Sequence, residues 1–163
     1  MTSFVSPPPL NPAEIPPAAP ADVVLEGDAF WPDIDLADLR LVMRIDPAVD
    51  LAWLREAAIF AILSTRRELA AWKAAHLTAG RESLDDVPGE VIEGVAEAVI
   101  LYTRAVYAAT AADLLERMRE LGLTAAGHDR ADDLQAAAGE HRRAQRSAVR
   151  DLLGESRIFA ELV

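Results

Sequence analysis

The chain contains no cysteine. That one absence excludes disulfides, thiolate zinc sites, iron–sulfur clusters and thiol nucleophiles together. It leaves the compartment open, because a chain without thiols tolerates any redox poise. Aromatic residues are scarce, at 6%, and runs rich in Val, Ile, Thr and Tyr are missing, which argues against a sheet protein. Positive charge is short as well: 16 basic residues face 27 acidic ones, a net charge of −11 with His neutral. A protein that binds nucleic acid over its whole surface carries the opposite sign. The longest charge-free stretch of the helical region, residues 57–65, has nine residues, against about 20 for a membrane span. The N-terminus lacks an early Lys or Arg and is interrupted by prolines, so no secretory signal peptide is expected.

What is present points to helices. Apolar residues make up 52% of the 163, and many are alanine, which suits helices packed closely through small side chains. The length fits one domain, able to bury roughly 68–70% of its unfolded surface. Seven of the ten prolines lie within the first 20 residues, where they favour an extended polyproline arm. That arm is open to two readings, a tail without fixed structure or a docking arm anchored through Phe4, Val5, Leu10 and Ile15. The expected organisation is an arm over residues 1–29, a helical domain over 30–154 and a tail over 155–163.

Order is expected to begin at Phe30-Trp31-Pro32, with Phe30 and Trp31 as core anchors that pin the arm. Asp35 is a suitable cap for a short helix reaching about Arg44. Asp46 with Pro47 marks the next start, and the pattern then runs to Gly80. Leu51, Leu54, Ala58, Ile62, Thr65, Leu69, Trp72 and His76 step along one face of it, and Arg55, Glu56, Arg66, Arg67 and Lys73 fall largely on the other side. A second long helix is expected from Pro88 to Leu121. It has one stripe of Ile92, Val95, Val99, Tyr102, Val106 and Ala109, and another of Ala98, Leu101, Ala105, Ala108, Ala112 and Leu115. Two stripes imply burial on two sides, so this is the expected central helix. A last helix runs from Asp129 to Leu153, with Leu134, Ala138, His141, Val149 and Leu152 inward and Gly154 as its stop. The fold class is all-α, a bundle of one short and three long helices with an extended arm at each end.

Candidate chemistry is thin. None of His76, His128 and His141 has Glu three residues before it, so a helical di-iron pattern is absent. No zincin, nucleophile-elbow, P-loop or dinucleotide fingerprint occurs. No catalytic residue, cofactor or metal site is expected. Eight acids against two arginines crowd residues 22–50, and six against one crowd 81–97. Paired carboxylates can serve acid–base chemistry, but most of these fall at helix starts, where they complement the dipole. Arg142, Arg146 and Arg150 are spaced by four and share a helix face with Arg143 nearby. This patch is open to phosphate contacts, to an acidic surface of a partner or sister subunit, and to a solvated or internally neutralised role.

The order of short motifs is recognisable: Phe30-Trp31-Pro32-Asp33-Ile34-Asp35, Leu54-Arg55-Glu56-Ala57 and Leu84-Asp85-Asp86-Val87-Pro88. Then come Tyr102-Thr103-Arg104-Ala105-Val106, Arg130-Ala131-Asp132-Asp133 and Ala148-Val149-Arg150. In this order the chain resembles the GPL-type head completion proteins of Peduovirus-like contractile-tailed phages, over about residues 30–154. The resemblance implies a non-enzymatic virion protein at the head–tail junction, assembled in the host cytoplasm. It implies a dodecameric ring below the portal that closes the DNA-filled head and receives the tail. The implied partners are the portal protein, a tail-side connector or tail terminator protein and further copies of the chain. DNA would pass through without sequence-specific binding, and no membrane is involved. The competing reading is a transient helical accessory or regulatory protein of head assembly or packaging. Beside the resemblance, the residues themselves suggest a portal-docking tail of Arg157, Ile158, Phe159, Leu162 and Val163. They also suggest a subunit or partner interface from Arg142, Arg146, Arg150, Ala98, Ala105 and Ala112.

Overall fold

Strand β1 (Val24–Leu25) pairs antiparallel with β2 (Ile34–Asp35), setting Leu25 opposite Ile34. The computed structural model describes residues 23–122 and 128–154. Acids close the loop between the two strands. Asp28 accepts the N–H groups of Phe30 and Trp31, each at 2.8 Å, and Asp33 accepts that of Gly27 at 2.7 Å. Gly27 is required by close approach, because a Cβ there would lie 2.0 Å from the Trp31 carbonyl oxygen. Burial pushes the Asp28 carboxyl up, but the two N–H groups and the Lys73 ammonium outweigh it and hold the group below its usual range. Packing therefore starts earlier than the Phe30 expected from sequence. Leu25 is buried, and the Val23 carbonyl accepts the Leu36 N–H at 2.7 Å.

Helix α1 (Leu36–Val42) begins at the expected cap, with Asp35 accepting the N–H groups of Ala37 and Asp38. Helix α2 (Leu51–Glu68) starts four residues later than Pro47, and its cap is Asp50 rather than Asp46. The reason lies in Arg40, whose guanidinium bonds the carbonyls of Asp46 at 2.8 Å and Val49 at 2.9 Å. Those carbonyls are held in a turn, and Asp46 is left to accept the Ala48 N–H. The expected run to Gly80 is also broken once. Buried Leu69 leaves helical geometry, and α3 (Ala70–Thr78) follows. No Gly or Pro lies there; the bend lets Trp72 reach Phe30, with ring centroids 6.2 Å apart.

After a single 3₁₀ turn (Leu84–Asp86), residues expected to open the central helix instead form a hairpin. Strand β3 (Val91–Ile92) pairs with β4 (Val95–Ala96). Glu93 and Gly94 both have positive φ, 52° and 81°, the conformation of a two-residue turn matched to strand twist. Ile92 and Val95 are thus exposed and off the helical stripe. Helix α4 (Glu97–Gly122) then runs through the centre, and α5 (His128–Leu153) packs along it. Gly154 follows at φ 69°. The described chain is mostly helical, with five helices and two short hairpins where one short and three long helices were expected.

Both stripes of α4 are covered from Ala98 onward. Tyr102, Val106 and Ala109 on one, and Ala98, Ala105, Ala108 and Ala112 on the other, are all buried. By length and composition alone, residues Glu97–Glu120 would suffice to cross a bilayer. In the fold, 61% of that apolar window is buried, as in the core helix of a bundle.

One aromatic cluster joins the N-terminal hairpin to three helices. Trp31 stacks on Tyr102 with centroids 4.6 Å apart, and Phe30 meets Trp31 edge-on at 5.0 Å. The Arg66 guanidinium lies 5.7 Å over Trp31, and its Nε donates to the Tyr102 hydroxyl at 3.0 Å. Trp31 is 3% exposed, so Trp31→Ala should reduce unfolding free energy by about 3–5 kcal/mol, measured by urea denaturation. A loss below about 1 kcal/mol would mean that the stack is peripheral to the fold.

Candidate functional site

The acids concentrated in the two sequence clusters work mainly on the chain's own backbone. Asp28, Asp33, Asp35, Asp46 and Asp50 each accept nearby N–H groups. Asp86 closes a capping box with Ser83, and Glu97 accepts the Glu90 N–H at 3.1 Å. Among the described residues, no three His, Asp or Glu side chains come together as a metal-binding group. His76 packs against Trp72 and Arg81, where burial and then the Arg81 charge lower its pKa. His141 is half-buried, and the side chain of His128 is outside the described residues.

The arginine patch divides. Arg142 forms a two-pronged pair with Glu116, Nε to Oε1 at 2.9 Å and the second nitrogen to Oε2 at 2.5 Å. This fork clips α5 to α4. The Arg142 hydrogen bonds hold the Glu116 carboxyl below its usual range despite partial burial. Arg143, Arg146 and Arg150 stay exposed on the C-terminal half of α5. Arg117 is likewise used inside the chain, reaching Glu56 at 3.0 Å and Asp113 at 2.9 Å.

Ala98, Ala105 and Ala112 are 5%, 0% and 0% exposed. Their close-approach surface is taken up by this chain's own helices, so these three alanines offer no open face to another subunit. Phe30 and Trp31 are both core residues. Arg157, Ile158, Phe159, Leu162 and Val163 lie outside the described residues, as do Phe4, Val5, Leu10 and Ile15.

Two exposed apolar surfaces escaped the sequence reading. The outer side of α2 was expected to be charged through Arg55, Glu56, Arg66, Arg67 and Lys73. Arg66 and Lys73 instead turn to the aromatic cluster. What the helix shows outward is Trp53, Ile59, Phe60 and Leu63, at 40%, 39%, 54% and 52% exposure. The signal was the seven-residue step from Trp53 to Phe60 with Leu63 three further on. The second surface is a groove of about 600 Å³ between α1, β4, α4 and α5, lined by Val42, Val95, Val99, Ile100 and Ala144 around Tyr107. It depends on the hairpin that had been taken for helix. On its floor the Tyr107 hydroxyl donates to Asp38 at 2.8 Å; burial and that acceptor both push the phenol pKa up.

Two sizeable apolar surfaces left exposed among the described residues fit a protein that works by assembly. The family model for phage head completion protein (GPL) matches residues 25–163. The chain belongs to this family. A relative, the head completion/stabilization protein of Escherichia phage P2, is 36% identical over 149 residues, covering 91% of this chain and 88% of the relative. No solved structure matches. The role carried by this head completion family is structural, in assembly of the phage head, and the chain is a component of the virion head.

The Glu116–Arg142 fork gives a pH test of how α4 and α5 are held together. A carboxyl whose folded pKa is depressed adds stability above its unfolded pKa, near 4.3, and loses it as pH falls through the folded value. Glu116→Gln should therefore lower the urea midpoint at pH 7, and the deficit should shrink as the pH drops below about 4. A deficit unchanged down to pH 2 would show that the loss is not electrostatic.

Proposed function

We propose that the chain is a head–tail connector: a ring seated below the portal that closes the filled head and presents the site for tail attachment. The observation that carries this reading is the family match, which runs through the bundle to residue 163 and so includes the tail beyond α5. Residues 155–163 dock on the portal through Arg157, Ile158, Phe159, Leu162 and Val163, one arginine and four apolar residues following a helix stop. Of the arm expected over residues 1–29, the Pro-rich part ahead of β1 forms the arm, while residues 23–29 join residues 30–154 in the ring-forming domain; the opposite end of the ring meets a tail-side connector or tail terminator protein. Rings require one patch of a subunit to meet a different patch of the next. The net charge of −11 suits a channel through which DNA slides, because acidic walls repel phosphates. In this reading Arg146 and Arg150 face an acidic partner surface rather than the lumen.

Mixing the purified chain with the portal ring of the same phage tests the reading by native mass spectrometry. The expected result is a gain of about twelve subunits, matching portal symmetry. Deleting residues 155–163 should abolish that gain and leave the helical circular dichroism unchanged. A truncated chain that still joins the portal would move the docking site elsewhere. No gain with the folded full chain, and its absence from mature particles, would instead favour a transient assembly accessory.

A further inference from the structure

We infer that the outer ridge of α2 seats in the groove between α1, β4, α4 and α5 of a second copy of this chain. The inference deepens the connector reading and rests on it. The ridge is helical, with Phe60 seven residues after Trp53 and Leu63 three further on. That is the anchor pattern of a helix laid into an apolar groove. The groove is concave, about 600 Å³, and lined mainly by aliphatic side chains, of which Val42, Val95 and Ile100 are 58%, 40% and 36% exposed. No ridge residue lines the groove. Each copy can therefore donate a ridge to one neighbour and accept a ridge from another, the head-to-tail contact that closes into a ring.

Charge at the edges agrees with this pairing. Residues 82–103 contain six acids and no base; Arg104, the next residue, puts one cation in the groove lining, and exposed Glu93 stands at the hairpin tip, two residues before Val95. Exposed Arg67 stands at the end of the ridge, one turn beyond Leu63. Neither has a partner among the described residues. Docking the ridge brings an unpaired cation toward an unpaired acid at the rim, where charge sets register and selects the partner surface. A symmetric ridge-to-ridge contact would instead bring Arg67 of one copy toward the ridge of another and leave both grooves empty.

The native chain has no thiol, so engineered cysteines report only on themselves. Leu63→Cys and Ile100→Cys chains are mixed, once during head assembly in infected cells and once as the concentrated isolated protein, then oxidised and run without reductant. The expected product in at least one setting is a mixed disulfide dimer, and a chain carrying both substitutions should give a ladder of higher multimers. Phe60→Cys replaces Leu63→Cys if the latter fails to fold. Arg67→Glu should reduce the mixed dimer several-fold, and Glu93→Arg on the other chain should restore it. Disulfides between two Leu63→Cys copies, or no mixed dimer in either setting, would overturn the inference. Mass spectrometry of the same particles reads the connector proposal separately: the chain present in particles but never cross-linked overturns the interface alone.

Discussion

The stack of Trp31 on Tyr102 is the contact on which the rest of the structure depends. The chain has nine aromatic residues, and Phe30, Trp31, Trp72 and Tyr102 meet in this one place. Tyr102 stands on the central helix and Trp31 in the N-terminal hairpin, so the stack ties the entry of the chain to its middle. Such a stack buries a hydroxyl, which needs a partner. Arg66 supplies it from α2, while Asp28 lies 3.8 Å from the Arg66 guanidinium and 3.2 Å from the Lys73 ammonium. One aromatic contact thereby determines where two cations and an acid must go. It also explains why an outer face expected to be charged is apolar.

With those cations drawn inward, the surface available for partners changes character. Arg142 and Arg117 serve as clips between helices, and Tyr107 fastens α4 beside α1 through Asp38. What stays outside is an apolar ridge, an apolar groove and a short basic edge on α5. Bonding capacity is thus spent inside the chain, where geometry must be fixed, and apolar area is left on its outside.

The sequence showed those parts of the fold whose signals are local. Asp35 caps α1 as its spacing suggested, Gly154 follows the end of α5, and Phe30 and Trp31 are buried where their adjacency to Pro32 implied an anchor. The parts that were not legible result from competition between local signals. Asp46-Pro47 carries a helix-start signal, and only the reach of Arg40 to two carbonyls moves the start to Asp50. Glu93-Gly94 is a weaker turn signal than Asn-Gly, so Ile92 and Val95 passed for part of a helical stripe. The break at Leu69 has no sequence marker, and the contact of Trp72 with Phe30 beyond it joins segments far apart in the chain. The ridge and groove were hidden for the same reasons, since one needed the fate of Arg66 and the other needed the hairpin.

The alanine lining of α4 has a mechanical consequence. Ala98, Ala105, Ala108, Ala109, Ala111 and Ala112 are all buried, and alanine has no rotamers to lose on folding or to exchange afterward. An interface filled by long side chains absorbs displacement through rotamer changes, whereas one filled by methyl groups has little to rearrange. A push on one end of α4 therefore arrives at the other end as movement of the whole rod. A load applied at one end of the bundle would therefore be carried through it rather than absorbed within it.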